Sequence, residues 1–375
     1  MNDLLVVAVE ASADLHGAAV LRELKAMRPD LRAFGAGGSL MRAEGCETLV
    51  NAEDLGFMGV AEVIPALPRI LEAMDALGDA AADRRPRAAL LIDSPDFNLR
   101  LARRLKRLRV PVAYFIGPKL WAWRTYRVRQ VARDVERMLV ILPFEADFYA
   151  RHGVRATYVG NPLADAQTSS PPIQRGPLGL DPSRPVLALL PGSRRQEVTR
   201  LWSRLLAAGR RLREDRPGLQ LAVPIAPSID RALFSLAPDV VFIEGRAPEL
   251  LAAADAAIVA SGTATLQAAL AQTPMVVVYR VNWLSWLIGR MLVRVPFVSL
   301  PNLLAGRELV PELLQSECTP EKIAAAAAPL LDGAPERTRQ LQGMANIREQ
   351  LTPQGAAPAA RHAAEQVLAL LEQRP

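Results

Sequence analysis

Cysteine and histidine are scarce in this 375-residue chain: Cys46 and Cys318 lie far apart, and only His16, His152 and His362 offer imidazole. Neither set has metal-ligand spacing, so a disulfide framework and a metal site are not expected. Lysine is rare as well. Four lysines, Lys25, Lys106, Lys119 and Lys322, stand among 45 basic residues, and arginine carries the net charge of +6. Such a surface suits phosphate or an anionic membrane, and equally the solvated helix faces of an arginine-biased genome; charge alone leaves both readings open. Half of the residues are hydrophobic, yet no uninterrupted apolar run approaches the roughly 18–20 residues that a bilayer-spanning helix needs. No basic leader precedes the strand-like Leu4–Val9, so the chain reads as a soluble cytoplasmic protein without a signal peptide. A Walker pattern and a dinucleotide glycine fingerprint are both missing, which lowers ATP hydrolysis and hydride transfer as functions.

What is present is a repeated alternation of short β-rich runs with longer periodic segments. Strand-like Leu4–Val9, Leu90–Ser94, Val110–Gly117 and Leu139–Pro143 each precede a helical pattern, which implies a mostly parallel sheet. A polar, proline-containing stretch at 167–185 interrupts the pattern before it restarts at Val186–Leu190 and continues through Leu219–Ile225, Val240–Ile243, Ala257–Ala260 and Met275–Tyr279. At this length two cored domains are expected. The predicted fold is α/β, two doubly wound Rossmann-like domains facing across a cleft: 1–166, a linker at 167–185, and 186–355, with an alanine-rich helix at 356–375 that could pack back on the first domain.

Ligands of open parallel sheets bind beyond the carboxyl ends of the strands, so the residues there carry most weight. Ser261-Gly262-Thr263-Ala264-Thr265 follows one strand and opens a helix, as a diphosphate cradle would, or as a plain helix cap would. Pro191-Gly192-Ser193-Arg194-Arg195 follows another, where an arginine could neutralise a leaving diphosphate or simply be solvated. In the first half, Leu90–Ile92 runs into Asp93-Ser94-Pro95-Asp96, where Asp93 is the better candidate for a general base and Asp96 reads as a helix cap. Leu4–Val9 runs into Glu10-Ala11-Ser12-Ala13-Asp14; Ser12 and Asp14 read equally as substrate contacts or caps, and Glu10, without a capping role, leans toward substrate.

Two apolar stretches stand apart. Trp283–Arg294 combines tryptophan, aliphatics and arginines in a way that suits a membrane interface or a buried helix. Leu55–Val60 with Val63–Leu67 could line an acyl-chain groove, core packing being the default. Arg100, Arg103, Arg104, Lys106, Arg107 and Arg109, near Arg124, Arg127 and Arg129, form a basic region suited to anionic lipid or to water.

Taken together, Glu10-Ala11-Ser12, Met58-Gly59-Val60, Asp93 to Asn98, Trp121-Ala122-Trp123-Arg124, Leu142-Pro143-Phe144-Glu145, Pro191-Gly192-Ser193-Arg194, Ser261 to Thr265, Leu300-Pro301-Asn302 and Val310 to Gln315 resemble the lipid-A-disaccharide synthase family of inverting GT-B glycosyltransferases, over nearly the whole chain. The resemblance implies transfer of 2,3-diacylglucosamine from UDP-2,3-diacylglucosamine to 2,3-diacylglucosamine 1-phosphate. The products would be a β-1,6-linked tetraacyl disaccharide 1-phosphate and UDP, in lipid A biosynthesis for the Gram-negative outer membrane. It assigns Asp93 and Glu10 to the chemistry, and Ser193, Arg194, Ser261, Gly262, Thr263, Asn302, Glu308, Glu312 and Gln315 to the donor. It implies no metal and no cofactor, the UDP-sugar being a substrate, no nucleic-acid partner, and peripheral attachment to the inner membrane; monomer or homodimer stays open. Val9 and Ala13 depart from the family's glycines, Asn161 from a histidine and Lys119 from a small residue, which puts acceptor and acyl-chain preference in question. Two other readings are an enzyme like UDP-N-acetylglucosamine 2-epimerase, which needs no greasy groove, and a non-enzymatic nucleotide-sugar-binding protein at a membrane, for which Asp93 would be dispensable.

Overall fold

A computed structural model describes residues 3–55, 60–168, 173–234, 237–283, 286–287, 289, 295–352 and 357–373, without the side chains of 60–66 and 168. Two parallel sheets organise it. In the first, β1 (Asp3–Val7), β2 (Arg32–Gly37), β3 (Glu47–Asn51), β4 (Ala88–Ile92), β5 (Val112–Phe115), β6 (Arg137–Val140) and β7 (Ala156–Tyr158) lie in the order β3-β2-β1-β4-β5-β6-β7. In the second, β8 (Val186–Leu190), β9 (Gln220–Ile225), β10 (Val240–Glu244), β11 (Ala256–Ala260), β12 (Met275–Tyr279) and β13 (Glu312–Leu314) lie in the order β10-β9-β8-β11-β12-β13. Each order reverses direction beside its first strand, between β1 and β4 and between β8 and β11, the doubly wound arrangement that was expected.

The central strands show why. β4 (AALLI), β8 (VLALL) and β11 (AAIVA) are apolar at every position and buried throughout, as strands covered by helices on both faces must be. Helix Ala11–Met27 turns Ala13, Ala18, Leu21 and Leu24 inward, and helix Ala359–Glu372 supplies Ala363, Ala364, Val367, Leu370 and Leu371 to the same cluster, beside Leu4 and Val6 of β1. The late helix is fastened by polar contacts as well: the Ala359 N–H donates to Asp165 Oδ2 at 2.7 Å, and Arg137 Nη1 to Gln366 Oε1 at 2.8 Å.

The chain therefore divides into two compact units, residues 1–165 with 355–375, and residues 166–354. Within the stretch read as a linker, residues 173–185 are built into the second unit. Leu178 and Leu180 are buried, the Arg175 guanidinium donates to Ala253 O and Asp255 Oδ2, and Gln220 Oε1 accepts the Asp181 N–H. Among the described residues no helix is long and apolar enough to cross a membrane.

Asp14, read as a substrate contact or a cap, is a cap, though not of the helix it stands in. Its buried carboxylate accepts the N–H groups of Gly38 at 2.7 Å, Leu40 at 3.0 Å and Met41 at 3.1 Å, so it caps the short helix Ser39–Ala43 that follows β2. Asp14→Ala leaves three N–H groups without that acceptor and is expected to cost about 3 kcal/mol. Urea unfolding followed by circular dichroism checks this; an unchanged midpoint would contradict the role.

Candidate functional site

Parallel pairing of β1, β4, β5 and β6 lines up four polar strand ends in the first unit: Glu10, Asp93, Lys119 and Glu145. Asp93 (φ 51°) and Ser94 (φ 44°) both take the left-handed conformation, unusual for residues with a side chain, so the turn from β4 into helix Pro95–Arg107 is a strained elbow. Buried donors hold it. The Asp93 carbonyl accepts the Tyr114 hydroxyl at 2.5 Å and Asn98 Nδ2 at 2.8 Å, and the same amide donates to Ile92 O at 3.0 Å. Burial keeps the Tyr114 phenol protonated well beyond its ordinary range, as a donor must be.

The elbow brings Asp93 beside Glu10, whose Oε1 accepts the Ser94 hydroxyl at 2.7 Å. Burial first and the Glu10 charge second push the Asp93 carboxyl above the ordinary aspartate range, with Lys119 opposing. Ser94 thus stands at the start of the helix without capping it. Nor is Asp96 the cap that was expected, because its carboxylate pairs with Arg127 at 2.7 Å and faces Arg124 at 3.6 Å.

In the second unit the ends of β8, β9 and β11 surround a cavity of about 310 Å³, lined by Gly192, Ser193, Arg194, Pro227, Ser261, Gly262 and Thr263 among others. The two helices that open here are not equivalent. At the first, Glu197 accepts the N–H groups of Ser193 at 3.1 Å and Arg194 at 3.3 Å, and Gly192 (φ 114°) must lack a Cβ, which would sit 2.3 Å from that carboxylate. At the second, nothing lies within 4 Å of a Cβ at Gly262, and the first turn of helix Thr263–Leu270 has no acidic side chain on it. The N-terminal N–H groups of that helix are the ones suited to an anion, and Arg194, its side chain 83% exposed and 3.4 Å from Glu197, lines the same cavity with a positive charge.

Four residues assigned to the donor by resemblance do not line this cavity. Glu312 accepts the Val298 N–H (2.9 Å), the Ser299 N–H (2.9 Å) and hydroxyl (2.6 Å), and Asn302 Nδ2 (2.8 Å). Asn302 is fully buried, and its Oδ1 accepts the Leu309 and Val310 N–H groups. Gln315 exchanges two hydrogen bonds with the Val281 backbone. Glu308 is exposed and does not line the cavity. Since the Ser261 hydroxyl donates to Val298 O at 2.8 Å, Glu312 and Asn302 brace the cradle from behind.

Glu145 has no signal of its own in the sequence beyond its motif, yet it is 2% exposed and accepts Trp121 Nε1 at 2.9 Å and the Leu142 N–H at 3.0 Å. Burial pushes its carboxyl up to about 7 against those donors. Of the apolar stretches, Trp283 (72%) and Leu287 (48%) are exposed, while most of Trp283–Arg294 and all of 56–59 lie outside the described residues. Among the described residues no group of histidine, cysteine and acidic side chains could hold a metal ion.

Comparison with known proteins gives these sites a context. The family model described as lipid-A-disaccharide synthetase matches residues 4–367. The chain is 51% identical to the lipid-A-disaccharide synthase of Myxococcus xanthus, over 98% of this chain and 97% of that one, and 40% identical to that of Koribacter versatilis over the whole of both. Its fold is similar to the UDP-GlcNAc 2-epimerase of Neisseria meningitidis (TM-score 0.66, 12% identity, 100% of both chains). It is also similar to MurG of Acinetobacter baumannii (TM-score 0.57, 15% identity, 99% of both). For the cavity, Arg194→Ala is expected to weaken UDP binding about tenfold, the worth of one charge-assisted contact, and to leave uridine binding within about twofold. Calorimetric titration with both ligands distinguishes loss of a diphosphate contact from a general loss of the pocket.

Proposed function

The chain belongs to the lipid-A-disaccharide synthase family, and from that membership we propose that its second unit holds UDP-2,3-diacylglucosamine while its first presents 2,3-diacylglucosamine 1-phosphate for attack. The donor's diphosphate rests on Ser261, Gly262 and Thr263 with Arg194 over it. As the sugar–phosphate bond breaks, negative charge collects on the departing UDP, where the helix terminus and the guanidinium stabilise it more than they did the bound donor. The C6 hydroxyl of the acceptor attacks the anomeric carbon from the opposite face and gives its proton to Asp93. Configuration is inverted, a β-1,6 bond forms, and UDP leaves. No metal or organic cofactor enters this reading.

The observation that carries it is the elbow. Two left-handed residues in succession cost of the order of 1–3 kcal/mol each, and Tyr114 and Asn98 hold them there, so that a carboxylate faces a second carboxylate at a strand end. A base works best with a pKa brought up toward the working pH, which burial and Glu10 both do for Asp93. Glu10 and Ser94 orient and tune it.

An epimerase acting on a soluble UDP-sugar would have the same fold, and dependence on the acceptor separates the two. Both substrates carry acyl chains, which supports a peripheral enzyme working at a membrane surface, with exposed Trp283 and Leu287 as candidates to rest in the interface. Replacing both with serine is expected to reduce sedimentation with anionic liposomes; undiminished binding would move the contact elsewhere.

UDP release with donor alone and with donor plus acceptor tests the reaction. Asp93→Asn is expected to lower acceptor-dependent release by about 10²–10⁴-fold with UDP binding retained. The base must be ionised, so a raised pKa makes activity fall on the acid side at higher pH than an ordinary aspartate would give. Glu10→Gln removes the neighbouring charge and should shift that acid limb to lower pH. A limb that stays in place would separate Glu10 from the tuning of the base.

A further inference from the structure

Transfer to a phosphorylated acceptor poses an electrostatic problem: a phosphomonoester has to approach Glu10 and Asp93, two carboxylates in one place. An anion brought against like charges needs compensating cations close by. The segment after β5 supplies them. It leaves the sheet through left-handed Ile116 (φ 60°) and passes Lys119 to Arg124, itself left-handed (φ 53°).

This loop is built rather than loose. Pro118 O accepts the Tyr149 hydroxyl at 3.0 Å, Trp121 Nε1 donates to Glu145 at 2.9 Å, and Leu120 O accepts the Thr125 hydroxyl at 2.9 Å. Its far end is tied to the elbow through Asp96, three residues beyond Asp93, and its near end by the Asp93 N–H, which donates to Phe115 O at 3.0 Å. It carries two cations, Lys119 and Arg124. Lys119 is exposed, and its charge reaches both Asp93 and Glu145. Arg124 stacks its guanidinium 4.1 Å from the Trp123 ring centre, which fixes its plane, and stands 3.6 Å from Asp96, because Arg127 at 2.7 Å takes the close pairing. A stacked planar fork held 3.6 Å from Asp96, with an exposed ammonium earlier on the same loop, suits a phosphate dianion.

We propose that Lys119 and Arg124 form the binding subsite for the phosphate of the acceptor, next to the elbow that carries Asp93. The inference rests on the proposed transfer reaction. It gives Lys119 a function in acceptor selection.

The test compares 2,3-diacylglucosamine 1-phosphate with the same acceptor lacking its phosphate, reading kcat/KM for acceptor-dependent UDP release in wild type, Lys119→Ala and Arg124→Gln. Wild type should prefer the phosphorylated acceptor, and each substitution should reduce that preference by about tenfold or more, mainly through KM. If both acceptors decline together, the preference is intact, the loop is merely structural, and the subsite is overturned; the same holds if wild type shows no preference. If wild type transfers to neither acceptor, the proposed function fails, and the subsite with it.

Discussion

Parallel strands cannot be joined by tight turns; each must be followed by a crossover, and all of their carboxyl ends open on the same edge. That constraint governs both units. Once the apolar runs of β1, β4 and β5 pair in parallel, Glu10, Asp93 and Lys119 are neighbours in space although more than a hundred residues of sequence separate the first from the last. The same rule gathers Arg194 and Ser261–Thr263 around one cavity in the second unit. Neither site needs a dedicated scaffold, because the sheet that forms the core also collects the polar residues.

What distinguishes the residues within each site is how their hydrogen-bonding capacity is used. Asp14, Glu145, Glu197, Asn302 and Glu312 each accept two or more N–H groups, and in doing so fix a turn or a helix start. An acceptor so saturated is held in place and has little left for a ligand. Lys119, Arg194 and the cradle at Gly262 lie on the exposed side of these braces. The rigid groups set the positions, and the exposed ones supply the chemistry.

The central strands were legible in the sequence because apolar runs of four to six residues ending in polar turns have few other solutions. Val186–Leu190 and Met275–Tyr279 match their predicted limits, and most others agree within two or three residues. Four strands at or near the sheet edges, β2, β3, β7 and β13, were not seen, although the edge strand β10 was. β3 alternates half-buried with exposed residues, β7 and β13 have three residues each, and β2 (RAFGAG) is rich in glycine and alanine, so none has a β-branched apolar run. At the sites, strand-end position pointed to Asp93, to Glu10, to the pair Arg194 and Arg195, and to Ser261–Thr265. It could not tell Asp14 from a ligand contact, since the amides it caps belong to residues 24 to 27 positions away. Nor could it show that Asn302, Glu312 and Gln315 spend their polar groups on nearby backbone, a matter of three-dimensional partners and not of residue type.

The helix Ala359–Glu372 belongs to the first unit, while the 189 residues that precede 355 belong to the second. During synthesis, then, the second unit can close on itself as soon as its own contiguous stretch has emerged. The first must wait with a face of helix Ala11–Met27 and the adjoining face of β4 and β5 uncovered. Domains that emerge earlier generally fold earlier; here the N-terminal body is the one finished last. A nascent chain stalled before residue 359 would display an apolar strip that chaperones, or another unfinished chain, are able to bind.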